Sequence, residues 1–199
     1  MQADAMLIER FRRADLVAQP WNNGGGVTRE VVCRPAGADM ARFDWRISIA
    51  QIGSSGPFSV FSGIDRVITL LEGPGVRLRS DDGMIDHQLN QPLEPFSFPG
   101  EAIVQADLLG AESHDFNVMT RRSACTAKMH VLRAATTLPA ALGGLLLAIN
   151  GDWQLQGTAL QALSPGEGLW WHAAKAAWHL HPQTPGAALI AVLIEPVQS

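Results

Sequence analysis

The chain has 199 residues, 47% of them hydrophobic and 17% charged, with a formal charge of −4. That is enough for one large domain or two small, closely packed ones, and it carries no basic footprint for nucleic acid. The most apolar stretch, Leu138 to Ile149, has 12 residues broken by Pro139, Gly143 and Gly144, so no transmembrane helix is expected. Glu9, Arg10, Arg12, Arg13 and Asp15 occupy the place of a signal-peptide apolar segment, which makes a cytoplasmic location the expectation. Cys33 and Cys125 lie outside any Cys-x-x-Cys pair and are expected as buried free thiols.

In chain order the first distinctive segment is "PWNNGGGVTRE", Pro20 to Glu30. Glycine accepts positive φ and close backbone approach, yet three in succession are costly to order. A phosphate cradle does not fit, because no Gly-Lys-Ser/Thr follows and the next residues, Val27 to Cys33, read as a strand. "FDWRISIAQI" then alternates, with Trp45, Ile47 and Ile49 on one face and Arg46, Ser48 and Ala50 on the other. Short apolar runs follow in "SVFSG", "RVITLLEG", "GVRLRS", "DHQL", "FSFPGE", "AIVQADLLG" and "HDFNVMTRR", each bounded by Gly, Pro, Asp or Asn. Many short strands with few helical periods predict a β-sandwich or barrel.

After Arg122, "MHVLRAATTLPAALGG" reads as a connection, followed by strands in "LLLAINGDWQLQG", "TALQALSPGEGLWWH", "WHLHP" and "AALIAVLIEP". "LLEGPGVRL…EPFSFPGEAIV" and "AINGDWQLQ…ALSPGEGLWW" share one rhythm: an apolar strand, a Gly turn, another strand, then Pro-Gly-Glu. This internal repeat predicts two β modules, the first fuller than the second.

The ordered set "PWNNGGGVTREV", "FDWRISIAQI", "GPFSVFSGIDRVITLLEG", "FSFPGE" and "DFNVMTRR", spanning Phe11 to Arg122, resembles the HutD/Ves family. The resemblance implies an all-β, cupin-type bicupin: two fused antiparallel β-barrel or jelly-roll modules, here 1–125 with the ligand pocket and a smaller 126–199. It also implies a link to histidine utilisation. On this reading Trp21, Asn22, Gly24, Gly25 and Gly26 cover the mouth or wall of the first module, where backbone approaches a ligand closely, and Trp21 anchors the segment through its ring.

Metal-dependent cupins use a His-x-His pair, a Glu and a later His. The first module lacks this set, with His87 and His114 isolated, so no metal and no cofactor are expected. The one His-x-His, His179 and His181, follows the Pro-Gly-Glu turn instead of preceding it and stands beside Pro182, as exposed histidines at a strand end would. "GSSGP" only approaches a nucleophile elbow.

The arginines carry more information. Arg46, Arg66 and Arg121 lie within the quoted motifs, and guanidinium groups recognise carboxylates bidentately. Asn22, Thr28, Ser48, Ser59 and Asn117 add neutral polar groups, Phe61 a pocket wall, and Asn117 and Arg121 have strand-compatible spacing for one inward face. Each arginine also has an ordinary structural alternative: Arg46 with Glu30, Arg66 with Asp65 or Glu72 at a rim, Arg121 and Arg122 in solvent. Trp170, Trp171 and Trp178 either close the second module or form an inter-module or homodimer interface.

The resulting expectation is a metal-free protein that binds a small carboxylate metabolite, urocanate or a formylglutamate-like compound, with no nucleic-acid or membrane partner. The alternative is a metal-free isomerase or hydrolase-like enzyme in which Glu30 or His114 moves a proton. A third reading is a protein-interaction module with an empty interior.

Overall fold

A computed structural model describes residues 7–156 and 162–197; Thr158–Gln161 of the expected "TALQAL" run lie outside the described residues. Apart from one 3-10 turn at Arg13–Asp15, the regular elements among the described residues are strands, numbered here in chain order. Val17–Thr126 forms one compact unit, and the described residues on either side of it form the other.

The outer unit is built on one seven-stranded sheet. It contains β1 (Leu7–Arg12), β12 (Cys125–Leu132), β13 (Thr136–Asn150), β14 (Trp153–Gln156), β15 (Ala162–Leu163), β16 (Glu167–Pro182) and β17 (Ala188–Pro196). The order is β12-β17-β13-β16-β14-β15, with β1 also on β16. The long strands β13 and β16 lose regular register between Leu138 and Gly143, and such irregularities let a strand bend. Leu132, Leu146, Trp153, Leu163, Trp171 and Leu189, from six of the strands, meet in one buried cluster.

One sequence expectation changes in this unit and one pair of alternatives is decided. Residues before Arg12 were grouped with the first module, but β1 pairs antiparallel with β16 from Leu7↔His172 to Arg12↔Glu167. Arg10 and Arg12 reach Glu167 at 3.3 and 3.0 Å, and side-chain-free Gly168 makes room for the Phe11 ring. Of the two readings of Trp171 and Trp178, the one that closes this module holds: both are fully buried, their rings lie 5.3 Å apart, and Trp171 donates to the Ala141 carbonyl at 3.0 Å.

The 17–126 unit has two sheets. The larger has the order β2 (Ala18–Pro20), β3 (Gly26–Arg34), β4 (Trp45–Ile52), β11 (Ser113–Arg121), β6 (Ile64–Glu72), β9 (Pro95–Pro99). The smaller has the order β5 (Gly56–Pro57), β10 (Val104–Leu108), β7 (Val76–Ser80), β8 (Asp86–Leu89). Ile52, Ile68, Leu70 and Phe98 of the larger sheet and Val76, Leu78, Leu89, Val104 and Ala106 of the smaller share one apolar cluster, so the two sheets bury their inner faces on each other.

The repeated Pro-Gly-Glu turns have one physical role in both units. Glu101 accepts from the Gly63 amide at 2.7 Å and pairs with Arg122 at 3.1 Å. Glu167 accepts from the Ser164 amide at 3.1 Å and pairs with Arg10 and Arg12.

Candidate functional site

The strand alternation read in "WRISIAQI" directs Arg46, Ser48 and Ala50 to the inner face of β4, and the register sets them beside β11. Arg46 pairs with Met119, Ser48 with Asn117 and Ala50 with Asp115. On the other side of β11, Met119 pairs with Arg66 and Asn117 with Ile68. Paired residues in antiparallel strands share a face. Two arginines therefore flank Met119, and a cavity of about 600 Å³ opens over them, walled by Phe58, Ser59 and Phe61 and by Gln19 to Asn23.

Arg66 is 7% exposed. Its guanidinium carbon lies 4.8, 5.2 and 5.8 Å from the ring centroids of Phe98, Phe58 and Phe61, close enough for cation–π attraction. Nη2 donates to Asn117 Oδ1 at 3.2 Å, while Nε has no hydrogen-bond partner among the described residues. Burial lowers its pKa to about 10, against the opposing pull of Asp115, so it stays cationic at neutral pH. The alternative of a rim position beside Asp65 or Glu72 does not hold, since Arg66 is buried. Arg122 takes Asp65 at 2.6 Å.

Arg46 donates from Nε to Glu30 Oε2 at 2.7 Å and from Nη1 to Ser48 Oγ at 3.4 Å. Asp115 is 2% exposed. One of its oxygens, Oδ2, accepts from Asn117 Nδ2, and the other, Oδ1, accepts no hydrogen bond among the described residues. Burial raises its pKa to about 7, although Arg66 and the Asn117 hydrogen bond pull the other way.

The three glycines divide the work of shaping the mouth. Gly24 has φ +69° and donates to the Trp21 carbonyl at 2.9 Å, closing the turn. The Gly25 carbonyl accepts from Gly53 and Ser54 at 2.9 and 3.1 Å. A Cβ on Gly26 would clash with the Gln51 carbonyl oxygen. The turn is thus ordered, and it presents Trp21, Asn22 and Asn23 to the cavity. Trp21 Nε1 donates to Thr28 Oγ1 at 2.7 Å.

Of the residues singled out in the sequence, Trp21, Asn22, Thr28, Arg46, Ser48, Ser59, Phe61, Arg66 and Asn117 line this cavity. Gly24, Gly25, Glu30 and Arg121 do not. The two glycines shape the turn, and Glu30 holds Arg46. Arg121 ends β11, where it donates to the Phe43 and Ala41 carbonyls at 2.9 and 2.7 Å. Two strand steps beyond Asn117 carry it past the cavity, despite the shared face. His114 faces Glu72 at 3.8 Å and is outside the cavity, as is His87, stacked on Phe96 at 3.9 Å. Asp115, Met119 and Phe58 line the cavity without having been chosen as site residues. Extending the period of two from Asn117 in both directions along "DFNVM" would have found the first two.

Among the described residues, no group of three or more His, Cys, Asp or Glu could hold a metal ion. His179 hydrogen-bonds Thr137 at 3.0 Å on an exposed strand face. No helix among the described residues is long and apolar enough to cross a membrane.

The HutD family model matches residues 13–190. Protein Ves of Cronobacter sakazakii is 43% identical over 165 residues, covering 82% of this chain and 87% of that one. The structure of HutD from Pseudomonas fluorescens SBW25 superposes with a TM-score of 0.82 at 30% identity, covering 96% of this chain and 100% of that one. Lactobacillus farciminis oxalate decarboxylase gives a TM-score of 0.64 at 9% identity over 96% of this chain and 87% of that one, a likeness of the cupin-like β fold alone. With matches that span most of its length, the chain belongs to the HutD family.

Proposed function

We propose that the protein binds a small carboxylate metabolite, without a metal, in the cavity of the 17–126 unit. In this reading the two units are two cupin-type modules and only the first holds ligand. The observation that carries the proposal is Arg66: a buried cation in an aromatic box, beside a second arginine, with Nε unpartnered among the described residues. An uncompensated buried charge is costly, and a bound carboxylate offsets that cost with charge-assisted hydrogen bonds. The family likeness to HutD supports a ligand from histidine breakdown, urocanate or formylglutamate, and a role in modulating that pathway. Calorimetric titration of urocanate, N-formylglutamate and glutamate tests the reading. At least one should bind, and Arg66→Met should weaken it; no binding by any of the three would overturn it.

A second reading, a metal-free isomerase or hydrolase-like enzyme, draws on Asp115, whose carboxyl lines the cavity with a pKa raised to about 7 by burial. That range suits proton transfer near neutrality. Glu30 and His114 are replaced in this role, since Glu30 is engaged by Arg46 and His114 lies outside the cavity. Proton NMR of each compound incubated with the protein distinguishes the readings: a new product supports the enzyme, an unchanged bound ligand the binding protein.

A further inference from the structure

Along β11 the cavity changes character in steps of two residues. Met119 stands between Arg46 and Arg66, Asn117 between Ser48 and Ile68, and Asp115 between Ala50 and Leu70. Each step is about 7 Å of strand. One end of the row is donor-only, because guanidinium groups cannot accept a hydrogen bond. At the other end stands a carboxyl.

Asn117 fixes this polarity. Its carbonyl oxygen is used by Arg66, so its NH₂ group faces Asp115 and engages Oδ2. That leaves Asp115, a residue that lines the cavity, with its Oδ1 buried and accepting nothing among the described residues. At the cationic end, Arg66 Nε is an unused donor. A molecule with an acid group and an otherwise apolar body would satisfy only that end and would cover Asp115 without giving it a donor, which is unfavourable for a buried polar group. The charged group that acts on Asp115 is Arg66 on β6; Arg46 on β4 lines the same cavity and is paired with Glu30 on β3, while Glu72 on β6 faces His114 on β11.

We propose that the cavity reads two features of one molecule, a carboxylate at the Arg46–Arg66 end and an N–H group of an amide, imidazole or ammonium at Asp115 Oδ1. The proposal rests on the carboxylate reading of the cavity and adds a second determinant to it. Asp115 thereby becomes a specificity residue, selecting nitrogen-bearing acids over acids of the same shape that lack the N–H.

The test uses a pair of probes that differ at one atom: N-formylglutamate and its ester analogue 2-(formyloxy)glutarate, titrated calorimetrically at pH 8. Wild type should prefer the N–H member by about ten- to a hundredfold, the range for a hydrogen bond to a charged group. In Asp115→Asn, the oxygen should stay with Asn117 and the NH₂ group should turn to the cavity, so the preference should vanish or invert. Equal affinity of both probes for wild type overturns the proposal while leaving the carboxylate reading intact. A preference unchanged in a folded Asp115→Asn also overturns it. Failure of both probes, and of urocanate, to bind wild type overturns the carboxylate reading and the proposal with it. Should Asp115→Asn not fold, the ¹³C resonance of the Asp115 carboxyl in wild type decides: it should move with the N–H probe and not with the ester, and identical shifts refute the assignment.

Discussion

Arg66 on β6 donates to Asn117 on β11 at 3.2 Å, a cross-strand contact that turns one asparagine into the hinge between a cation and a carboxyl. Most of the chemistry of the cavity follows from it, because Arg66 sets which face of the Asn117 amide is left for Asp115.

Replacing Arg66 by Met keeps an unbranched side chain among Phe58, Phe61 and Phe98 and removes the buried charge. Carboxylate affinity should fall about ten- to a hundredfold, equivalent to roughly 1.5–3 kcal/mol. Stability should change little, because the lost hydrogen bond to Asn117 is offset by relief of desolvation. Arg66→Ala should also weaken binding, with an added loss of packing. Titration and thermal melts of both variants check this. An affinity equal to wild type in a folded Arg66→Met would remove the arginine from recognition.

The Asp115 carboxyl, raised to about 7 from the model-compound value of 3.8, makes stability depend on pH. Between those two values the folded state holds a proton that the unfolded state has released. Stability from this group is therefore fully present below about pH 4 and is lost as pH rises toward 7. A shift of this size corresponds to about 4 kcal/mol. Asp115→Asn abolishes the titration, so its melting temperature relative to wild type should climb from pH 5 to pH 8. A constant difference across that range would show that Asp115 does not titrate there.

The same group predicts the pH dependence of binding. Ionised Asp115 accepts an N–H, so a ligand that supplies one should bind more tightly at pH 8 than at pH 6, with Arg66 cationic throughout. Titrations at the two pH values measure this, and the ester analogue should lack the increase.

Gly26 and Gly24 should respond differently to alanine. Gly26→Ala would press Cβ into the Gln51 carbonyl, with Trp21 ring atoms at 3.1 and 3.2 Å, and should cost about 2–4 kcal/mol. Gly24→Ala meets nothing within 4 Å but must hold φ at +69°, a cost of about 1–2 kcal/mol. Urea denaturation of the two variants tests the order, and a larger loss at Gly24 would contradict it.

Chelation should leave the melting temperature unchanged, and elemental analysis should find no stoichiometric transition metal. The cavity offers Glu30-bound Arg46, Arg66 and Asp115 where a cation would need clustered acceptors. About one tightly held metal per chain would defeat this expectation.

The alternation of Arg46, Ser48 and Ala50 against Trp45, Ile47 and Ile49 was readable because a period of two is a local property of a strand. It placed β4 and, with the Asn117 segment, most of the cavity wall. Asp115 was hidden in the same run because the proton-carrier role went to its neighbour His114. Nothing local distinguishes an aspartate beside a buried arginine from one at a strand end. Arg121 misled for a related reason: spacing gives the face of a strand and not where the cavity stops. The assignment of β1 failed most completely, since "LIERFR" carries no mark of which distant strand completes it.

That pairing also imposes an order on synthesis. Arg10 and Glu167 are 157 residues apart in the chain, and at typical elongation rates of about 5–20 residues per second the first strand leaves the ribosome roughly 8–30 s before its partner exists. Phe11, half-buried against Gly168 once β16 is present, spends that interval uncovered, while 17–126, with the complete cavity wall, becomes available to fold within it. The 17–126 unit is thus synthesised before the strand that pairs with β1. Slow elongation between residues 126 and 167 would prolong the exposure of Phe11 without delaying the formation of the cavity.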